Sequence, residues 1–402
     1  MEDDGAPEGE ALLVLGAGPA QVGLLRAAQE RGLHVIAVDR DPRAPGFRYA
    51  DRRAILSSED EPAVERLARS AHVAGIVAPG TDWPVGVAAR IADHLRLPHP
   101  LSPASAALAV SKLRQRERFD ERGVPQPAWR ALTREDPLDR LPTRAVVKAP
   151  DRQGQRGLSL VTRPEDLAPA VARAFEASRA GVALVEELVE GPEVTVNAFS
   201  VGGRFIPLTV TDRVTAEPPA FGVALAHVWP SERADERAVE TAERAAEALG
   251  IEHGPTYTQL RLGPNGPQVI ELAARLGGGH DAELCHAALG VELNGLAIAA
   301  ALGEPLEPPR PEPQVGGACT RFLVPPEGRL TTTQGVEAAR AVEGVVDLHV
   351  YRSPGHEFGP FRTGSDRAGA VIAVGASREE ALARARRVTD LIRFVVTDAE
   401  VA

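Results

Sequence analysis

Cysteine, aromatic side chains and surplus positive charge are all scarce in this 402-residue chain. Only two cysteines occur, Cys285 and Cys319, and neither has a neighbour at metal-ligand spacing. That excludes a disulfide framework and a cysteine-built metal centre, and both are expected to be small buried apolar residues. Aromatics make up 4% of the chain, too few for the stacking platforms on which single-stranded nucleic acid is read. The net charge of −11 leaves no basic excess to neutralise a phosphate backbone, which argues against nucleic acid as a main partner. A small anion needs only a local cluster of cations and is not excluded. No apolar run approaches membrane-spanning length. Residues 1–10 are acidic, contain Gly and Pro, and lack the basic start and apolar core of a signal peptide. The expectations are a cytoplasmic protein, no membrane partner, and a disordered acidic tail over residues 1–10.

What is present is ordinary for a globular protein: 44% hydrophobic and 25% charged residues, in a chain long enough for two or three domains. Residues 11–15 form a continuous apolar run, as a strand buried on both faces requires. Gly16-Ala17-Gly18-Pro19 turns the chain into a helix over 21–31. Residues 35–39 and 75–79 read as further strands, with a helix over 61–70 between them. This alternation predicts a parallel, doubly wound sheet. The glycines suggest a dinucleotide turn, with Asp39 ending the next strand. Their spacing is G-x-G-x-x-x-x-G rather than G-x-G-x-x-G, which disfavours an NAD-dependent oxidoreductase. Two alternatives remain: a turn kept tight for packing, or one that binds another small substrate. The loop Gly80-Thr81-Asp82-Trp83 is expected on the same edge.

Ser111-Lys112-Leu113 opens a helix that Gly123-Val124-Pro125 stops. Residues 145–148 form a strand ending in Lys148, followed by a polar loop holding Gly154, Arg156 and Gly157, and by a second strand. Such a loop can fold backbone N–H groups over phosphates, with Lys148 as a fixed cation. Taken alone, it reads equally as a plain hairpin. Further on, Glu186-Glu187-Leu188-Val189 leaves a strand and Glu193 enters the next. The exposed backbone of this connector could read an adenine edge and a carboxylate could hold ribose hydroxyls. An ordinary acidic crossover has the same composition.

Residues 254–262 form a strand, 263–267 a turn, and 269–272 an antiparallel return. Gln259 and Glu271 can then meet on one face. Their oxygens suit Mg²⁺, which accompanies transfer of a γ-phosphoryl group. Arg275 follows Glu271 by four residues, and Gly277-Gly278-Gly279 comes next. A guanidinium fork matches a carboxylate or phosphate, and glycine N–H groups can face an anion. His280, beside this turn, is more often a structural hydrogen-bonder than a base.

In their order and spacing, Lys112, Val147-Lys148, the Gly154–Gly157 loop, Glu186 with Glu193 seven residues on, and Val269-Ile270-Glu271 with Arg275 resemble the ATP-grasp superfamily. The resemblance covers nearly the whole chain. It is nearest the carboxylate–amine ligases of the L-amino-acid ligase type. It implies an α/β and α+β architecture: a Rossmann-like domain over 11–110, an ATP-grasp domain over 111–310 with a lid at about 130–185, and a C-terminal α+β subdomain over 311–402. It implies ATP held by Lys112, Lys148, the lid residues Gly154, Arg156 and Gly157, Glu186, the backbone of Glu187 and Val189, and Glu193. It implies Mg²⁺ or Mn²⁺ on Gln259 and Glu271, and Arg275 steadying an acyl phosphate. The implied partners are a small carboxylic acid and an amine, amino acids among them, and because related enzymes are often dimers, a second copy of the chain. The pattern departs from the family at two positions. Gln259 stands where many members have glutamate, and Ala273 where they have asparagine. A bicarbonate-activating enzyme and an ATP-binding regulatory protein with impaired catalysis are the alternatives.

Overall fold

The structure is a computed structural model that describes residues 9–397. The expected acidic tail therefore lies, but for Gly9 and Glu10, outside the described residues. The first sheet is parallel, with β1 (Ala11–Leu15), β2 (His34–Asp39), β3 (Arg52–Ile55) and β4 (Gly75–Val77) in the order β3-β2-β1-β4. β3 is an edge strand not expected from sequence, because its Arg52-Arg53-Ala54-Ile55 is largely exposed and lacks an apolar run. β1 lies between two neighbours and is buried at every residue. Helices α1 (Val22–Glu30), α2 (Glu61–Ser70) and α3 (Trp83–Leu95) connect or flank these strands. In the glycine turn, Gly16 takes φ +116, a conformation that L side chains rarely adopt. Asp39 accepts from the N–H of Ala17 at 2.9 Å and of Asp41 at 2.9 Å. The carboxylate that would hold a dinucleotide ribose thus already braces its own turn.

Two short helices, α4 (Pro103–Ala109) and α5 (Lys112–Arg122), lead out of this domain. Ser111 caps α5, its side chain accepting from the N–H of Arg114, and Gly123 at φ +63 ends it. A four-stranded antiparallel sheet follows: β5 (Trp129–Leu132), β6 (Ala145–Lys148), β7 (Ser159–Val161) and β8 (Ala183–Glu187), in the order β5-β8-β6-β7. It packs against α6 (Leu167–Ala177) around its own core of Leu132, Val147, Val171, Phe175 and Val185. A subdomain with its own core can swing as a unit.

The large sheet begins with β9 (Glu193–Val201), β10 (Arg204–Thr215), β11 (Ala224–Trp229), β12 (Gly254–Gly263), β13 (Gly266–Ala273) and β14 (Gly317–Leu323). Helices α7 (Glu236–Ala248), α8 (Asp281–Leu289) and α9 (Leu293–Leu302) lie between these strands in sequence. The last segment supplies β15 (Gly328–Gln334), α10 (Val336–Arg340), β16 (Val345–Val350), β17 (Glu357–Phe358), β18 (Gly369–Gly375), α11 (Arg378–Leu391) and β19 (Arg393–Thr397). Strands β18 and β16 extend the large sheet to eight, ordered β13-β12-β9-β10-β11-β14-β18-β16, while β17-β15-β19 form a small separate sheet. One core runs from Leu13 and Ile36 of the first domain through Phe119 of α5 to Val194, Leu260 and Val269 of the large sheet. These parts share their packing, unlike the lid.

One buried charge cluster ties the lid to the large sheet. The Glu186 carboxylate, on β8, accepts from Arg116 Nε at 2.7 Å and pairs with Lys148 Nζ at 2.7 Å. Arg116 also donates to the carbonyls of Val269 and Ile270 on β13, at 3.0 and 2.7 Å. All three side chains are at most 5% exposed. Burial alone would raise the Glu186 carboxyl, but Arg116 and Lys148 outweigh it and the net direction is down. Neutralising this carboxylate strands two buried cations. Glu186→Gln is therefore expected to cost about 3–5 kcal/mol of stability in chemical denaturation. A loss within about 1 kcal/mol would show that the cluster does not hold the domains.

Candidate active site

The lid sheet, the first domain and the large sheet enclose a cavity of about 580 Å³. Its floor is the β12–β13 hairpin. Gln259 and Glu271 are direct cross-strand partners, as are Tyr257 and Ala273, and all four line the cavity. The period of two along each strand puts alternate residues on this one face. Lys112 Nζ contacts Glu271 Oε1 at 2.8 Å and donates to the Arg152 carbonyl at 2.8 Å, joining the floor to the base of the lid loop. Burial would raise the Glu271 carboxyl; Lys112, Lys148 and Arg275 more than offset this, and it stays ionised.

Arg275 faces Asp82, with Nε and Nη2 each 2.7 Å from Asp82 Oδ1. Asp82 comes from the loop after β4, the edge on which the sequence placed it. Its own N–H donates to Gln153 of the lid loop at 2.7 Å. Lid, first domain and the arginine thus meet at one residue. In the lid loop Gly154, Gln155 and Gly157 take φ +65, +61 and +73. A Cβ on Gly157 would lie 2.6 Å from that of Ala177, so this position excludes any side chain. Arg156 lines the cavity beside Gly154.

A second chamber of about 560 Å³ adjoins the first, and Arg213 lines both. Leu160, Val189, Glu193, Phe221 and Arg261 line it. Val189 presents an N–H with no acceptor among the described residues, which suits a ring nitrogen. The expectation for Glu186 needs correction. Its carboxylate is spent on Arg116 and Lys148 and faces neither chamber. Glu187 likewise lines neither, and its N–H donates to the Ala128 carbonyl at 2.8 Å. Glu193 is well supplied with donors: Arg261 Nη2 at 2.6 Å, Gln259 Nε2 at 3.0 Å, and Arg213. Ribose hydroxyls would have to displace one of these. Gln259 commits its amide nitrogen to Glu193, so its oxygen is the atom left for a cation.

The glycine turn is packed rather than loose. A Cβ on Gly277 would fall 2.1 Å from Asp281 Oδ2 and 2.7 Å from the Tyr257 ring. The Gly279 N–H donates to that same Asp281 oxygen at 3.0 Å. His280 takes φ +59, stacks on His349 at 4.4 Å, and has Nε2 2.5 Å from the Tyr351 hydroxyl.

Several cationic groups here, Arg116, Arg352 and Arg367 among them, are not expected from sequence. Arg116 anchors Lys148 through Glu186. Arg352 and Arg367 line the cavity from the C-terminal segment. Arg367 lies 3.7 Å over the Phe322 ring and donates to the Ala224 carbonyl at 2.7 Å. Its Nε and that of Arg352 are buried without partners, and neither side chain meets a carboxylate among the described residues. Burial pushes the Arg367 guanidinium down to about 10, so it remains charged at neutral pH. Isolated arginines in a turn-rich stretch carry no local signal that could have marked them.

With this geometry in hand, known proteins show where the chain belongs. An ATP-grasp domain model matches residues 109–279, and an L-amino acid ligase C-terminal domain 2 model matches residues 321–397. A phosphoribosylamine–glycine ligase of Leifsonia xyli subsp. xyli is 30% identical over 313 residues, covering 72% of this chain and 74% of that protein. The chain belongs to the ATP-grasp superfamily. The uncharacterised protein y4rH of Sinorhizobium fredii is 28% identical over 392 residues, 93% of this chain and 80% of that one. Carnosine synthase 1 of Gallus gallus is 29% identical over 360 residues, 80% of this chain but only 38% of that longer protein. Among solved structures, an L-amino acid ligase from Bacillus licheniformis superposes with TM-score 0.84 at 22% identity, over 97% of this chain and 99% of that one. That likeness shows the ATP-grasp fold, with its α/β and α+β parts.

Burial presses both histidines at the back of this site toward the neutral form, His280 to about 3 and His227 to about 4, from 6.5. The unfolded chain binds these protons first, so stability is full above pH 6.5 and is lost as pH falls toward those values. His280→Asn, which tolerates positive φ, is expected to flatten this acid-side loss in denaturation measured against pH. It should leave the pH–rate profile between 5 and 9 without a new limb. Loss of an acidic limb in that range would instead identify His280 as a titrating base.

Proposed function

We propose that this ATP-grasp enzyme couples the carboxylate of one small acid to the amine of a second molecule, with Mg²⁺ or Mn²⁺ accompanying the ATP. It is an ATP-dependent, ADP-forming carboxylate–amine ligase. The observation that carries the proposal is the excess of cations over carboxylates in one cavity. Lys112, Lys148, Arg275, Arg352 and Arg367 face it against Asp82 and Glu271. ATP and a substrate carboxylate bring the missing negative charge.

The steps follow from these side chains. Lys112, Lys148 and the Gly154–Gly157 loop hold the phosphates. A carboxylate oxygen of the acid attacks the γ-phosphorus, the bridging P–O bond breaks, and ADP departs. Arg275 steadies the resulting acyl phosphate, with its fork held in place by Asp82. The amine nitrogen then attacks the acyl carbon, phosphate leaves, and the nitrogen gives up a proton. Positioning and charge stabilisation suffice, and no covalent enzyme intermediate is needed.

The residues present fit a divalent cation that arrives with the nucleotide. Among the described residues no group of three His, Cys, Asp or Glu could bind one alone. Glu271 and the Gln259 oxygen would hold it, with phosphate oxygens completing the shell. It would supply charge neutralisation at the phosphates. Ala273 is 2% exposed on the same face and offers no oxygen. Glu271→Ala is expected to lower ATP turnover by about 10²-fold or more. Ala273→Asn should lower the Mg²⁺ concentration needed for half-maximal rate. If Glu271→Ala leaves both rate and metal requirement unchanged, the ligand assignment is wrong.

Arg352 and Arg367 suit a non-nucleotide substrate that carries its own anionic group. The decisive experiment is phosphate release from ATP over paired pools of amino acids and small acids. Arg367→Ala should raise KM for one of the pair by about 10- to 100-fold and leave KM for ATP unchanged. ATP binding without ADP formation over the whole screen would favour a regulatory protein instead. Phosphate release driven by bicarbonate alone would favour a carboxylase-type activity.

A further inference from the structure

A second cavity, of about 510 Å³, lies on the other side of Tyr351, whose ring lines both. It opens between α1, the segment Pro45–Tyr49, α10 and β16. Three guanidinium groups border it, those of Arg26, Arg48 and Arg340, against one carboxylate, Asp347. Only Arg26 pairs with that carboxylate, at 3.3 Å. Arg48 packs over the Tyr49 ring at 4.9 Å, and Arg340 donates to the Leu348 carbonyl at 2.9 Å. Neither has a carboxylate partner among the described residues. The inner wall is His349, 11% exposed, with Nε2 at 3.2 Å from Asp347.

That wall is continuous with the glycine turn. His349 lies face to face with His280, the planes 7° apart. His280 contacts the Tyr351 hydroxyl and follows Gly279 directly in the chain. Asp347 bridges Arg26 on one side and His349 on the other. An anion that draws Arg26 toward itself loosens Asp347 from it. Asp347 would then be free to follow His349, and the stacked pair would carry that shift to the glycine turn, whose Gly278 and Gly279 line the first cavity.

We propose that this second cavity binds a small oxyanion, phosphate or a compound bearing carboxylates, and that its occupancy is transmitted to the glycine turn through His349 and His280. None of its three arginines belongs to the ligase site, so the proposal stands apart from the ligase assignment. Its test is a binding measurement on the full chain, with a non-hydrolysable ATP analogue filling the first cavity. Inorganic phosphate and citrate serve as separate probes, which distinguishes the two anion sources. At millimolar concentration one of them should raise Tm by about 2 °C or more. The double variant Arg48→Ala/Arg340→Ala should lose that shift and keep the shift caused by the ATP analogue. In kinetic assays the same anion should change KM for a non-nucleotide substrate at least about twofold in the unmodified enzyme and not in the variant. An equal Tm shift in both proteins overturns the site. Binding without any kinetic change overturns the transmission. If the double variant converts a dimer to a monomer in sedimentation and no anion shift is seen in either protein, the face belongs to a second copy of the chain.

Discussion

Burying the Glu186 carboxylate between Arg116 and Lys148 commits three separate parts of the chain to one place. Lys148 ends a lid strand, Glu186 lies on its neighbour, and Arg116 comes from the helix that leads into the lid. Arg116 also grips two carbonyls of the strand that carries Glu271. A carboxylate this deep is tolerated only while both cations stay with it. The cluster therefore sets where Lys148 stands relative to Glu271, and hence how wide the phosphate part of the cavity is. Burial alone would favour the uncharged Lys148 amine, and the net direction is down despite Glu186. A single carboxylate shared with Arg116 leaves it under-neutralised. An incoming phosphate meets a cation that gains from its arrival.

The same logic extends across the cavity. Each reactive cation is held by a carboxylate from a different element: Lys112 by Glu271, Arg275 by Asp82, Lys148 by Glu186. These pairs offset like-charge repulsion among the cations and fix each side chain. Arg352 and Arg367 break the pattern. They have backbone carbonyls and an aromatic face in place of a carboxylate. Where the protein supplies no counter-charge, the substrate is the natural source of one.

Much of the floor was legible in the sequence because it is local. The strand–turn–strand pattern of residues 254–272 brings Gln259 near Glu271, and a bulge between Gln259 and Leu260, which no pattern announces, shifts the register by one to set them directly opposite. Asp82 was placed on the correct edge because parallel strands deliver their following loops to one side. Glu186 was misjudged for the opposite reason. Its neighbours in sequence suggest a connector open to a ligand, and its actual partners are 70 residues back in Arg116 and 38 back in Lys148. No periodicity encodes such a pairing. Arg352 and Arg367 were invisible on the same ground. They flank the Thr363–Asp366 turn in space, and only the folded C-terminal segment turns them inward.

Ala273 shows how a local departure can be read once the surroundings are known. An asparagine there would place an amide beside Glu271 on the floor, across from Tyr257. Alanine leaves that face with one charged oxygen donor and one neutral one. Gln259 cannot compensate by charge, and its amide is already turned to Glu193. Arg213 and Arg261 meet the same Glu193 carboxylate. Glutamate at position 259 would set a second carboxylate against Glu193, with only those two arginines to offset it. The neutral residue at 259 and the small one at 273 thus belong to one electrostatic arrangement. Under the proposed metal assignment the floor offers two protein oxygens, and the phosphates of the nucleotide would provide the rest of the coordination. Metal and ATP are then expected to bind as a unit, each weak without the other.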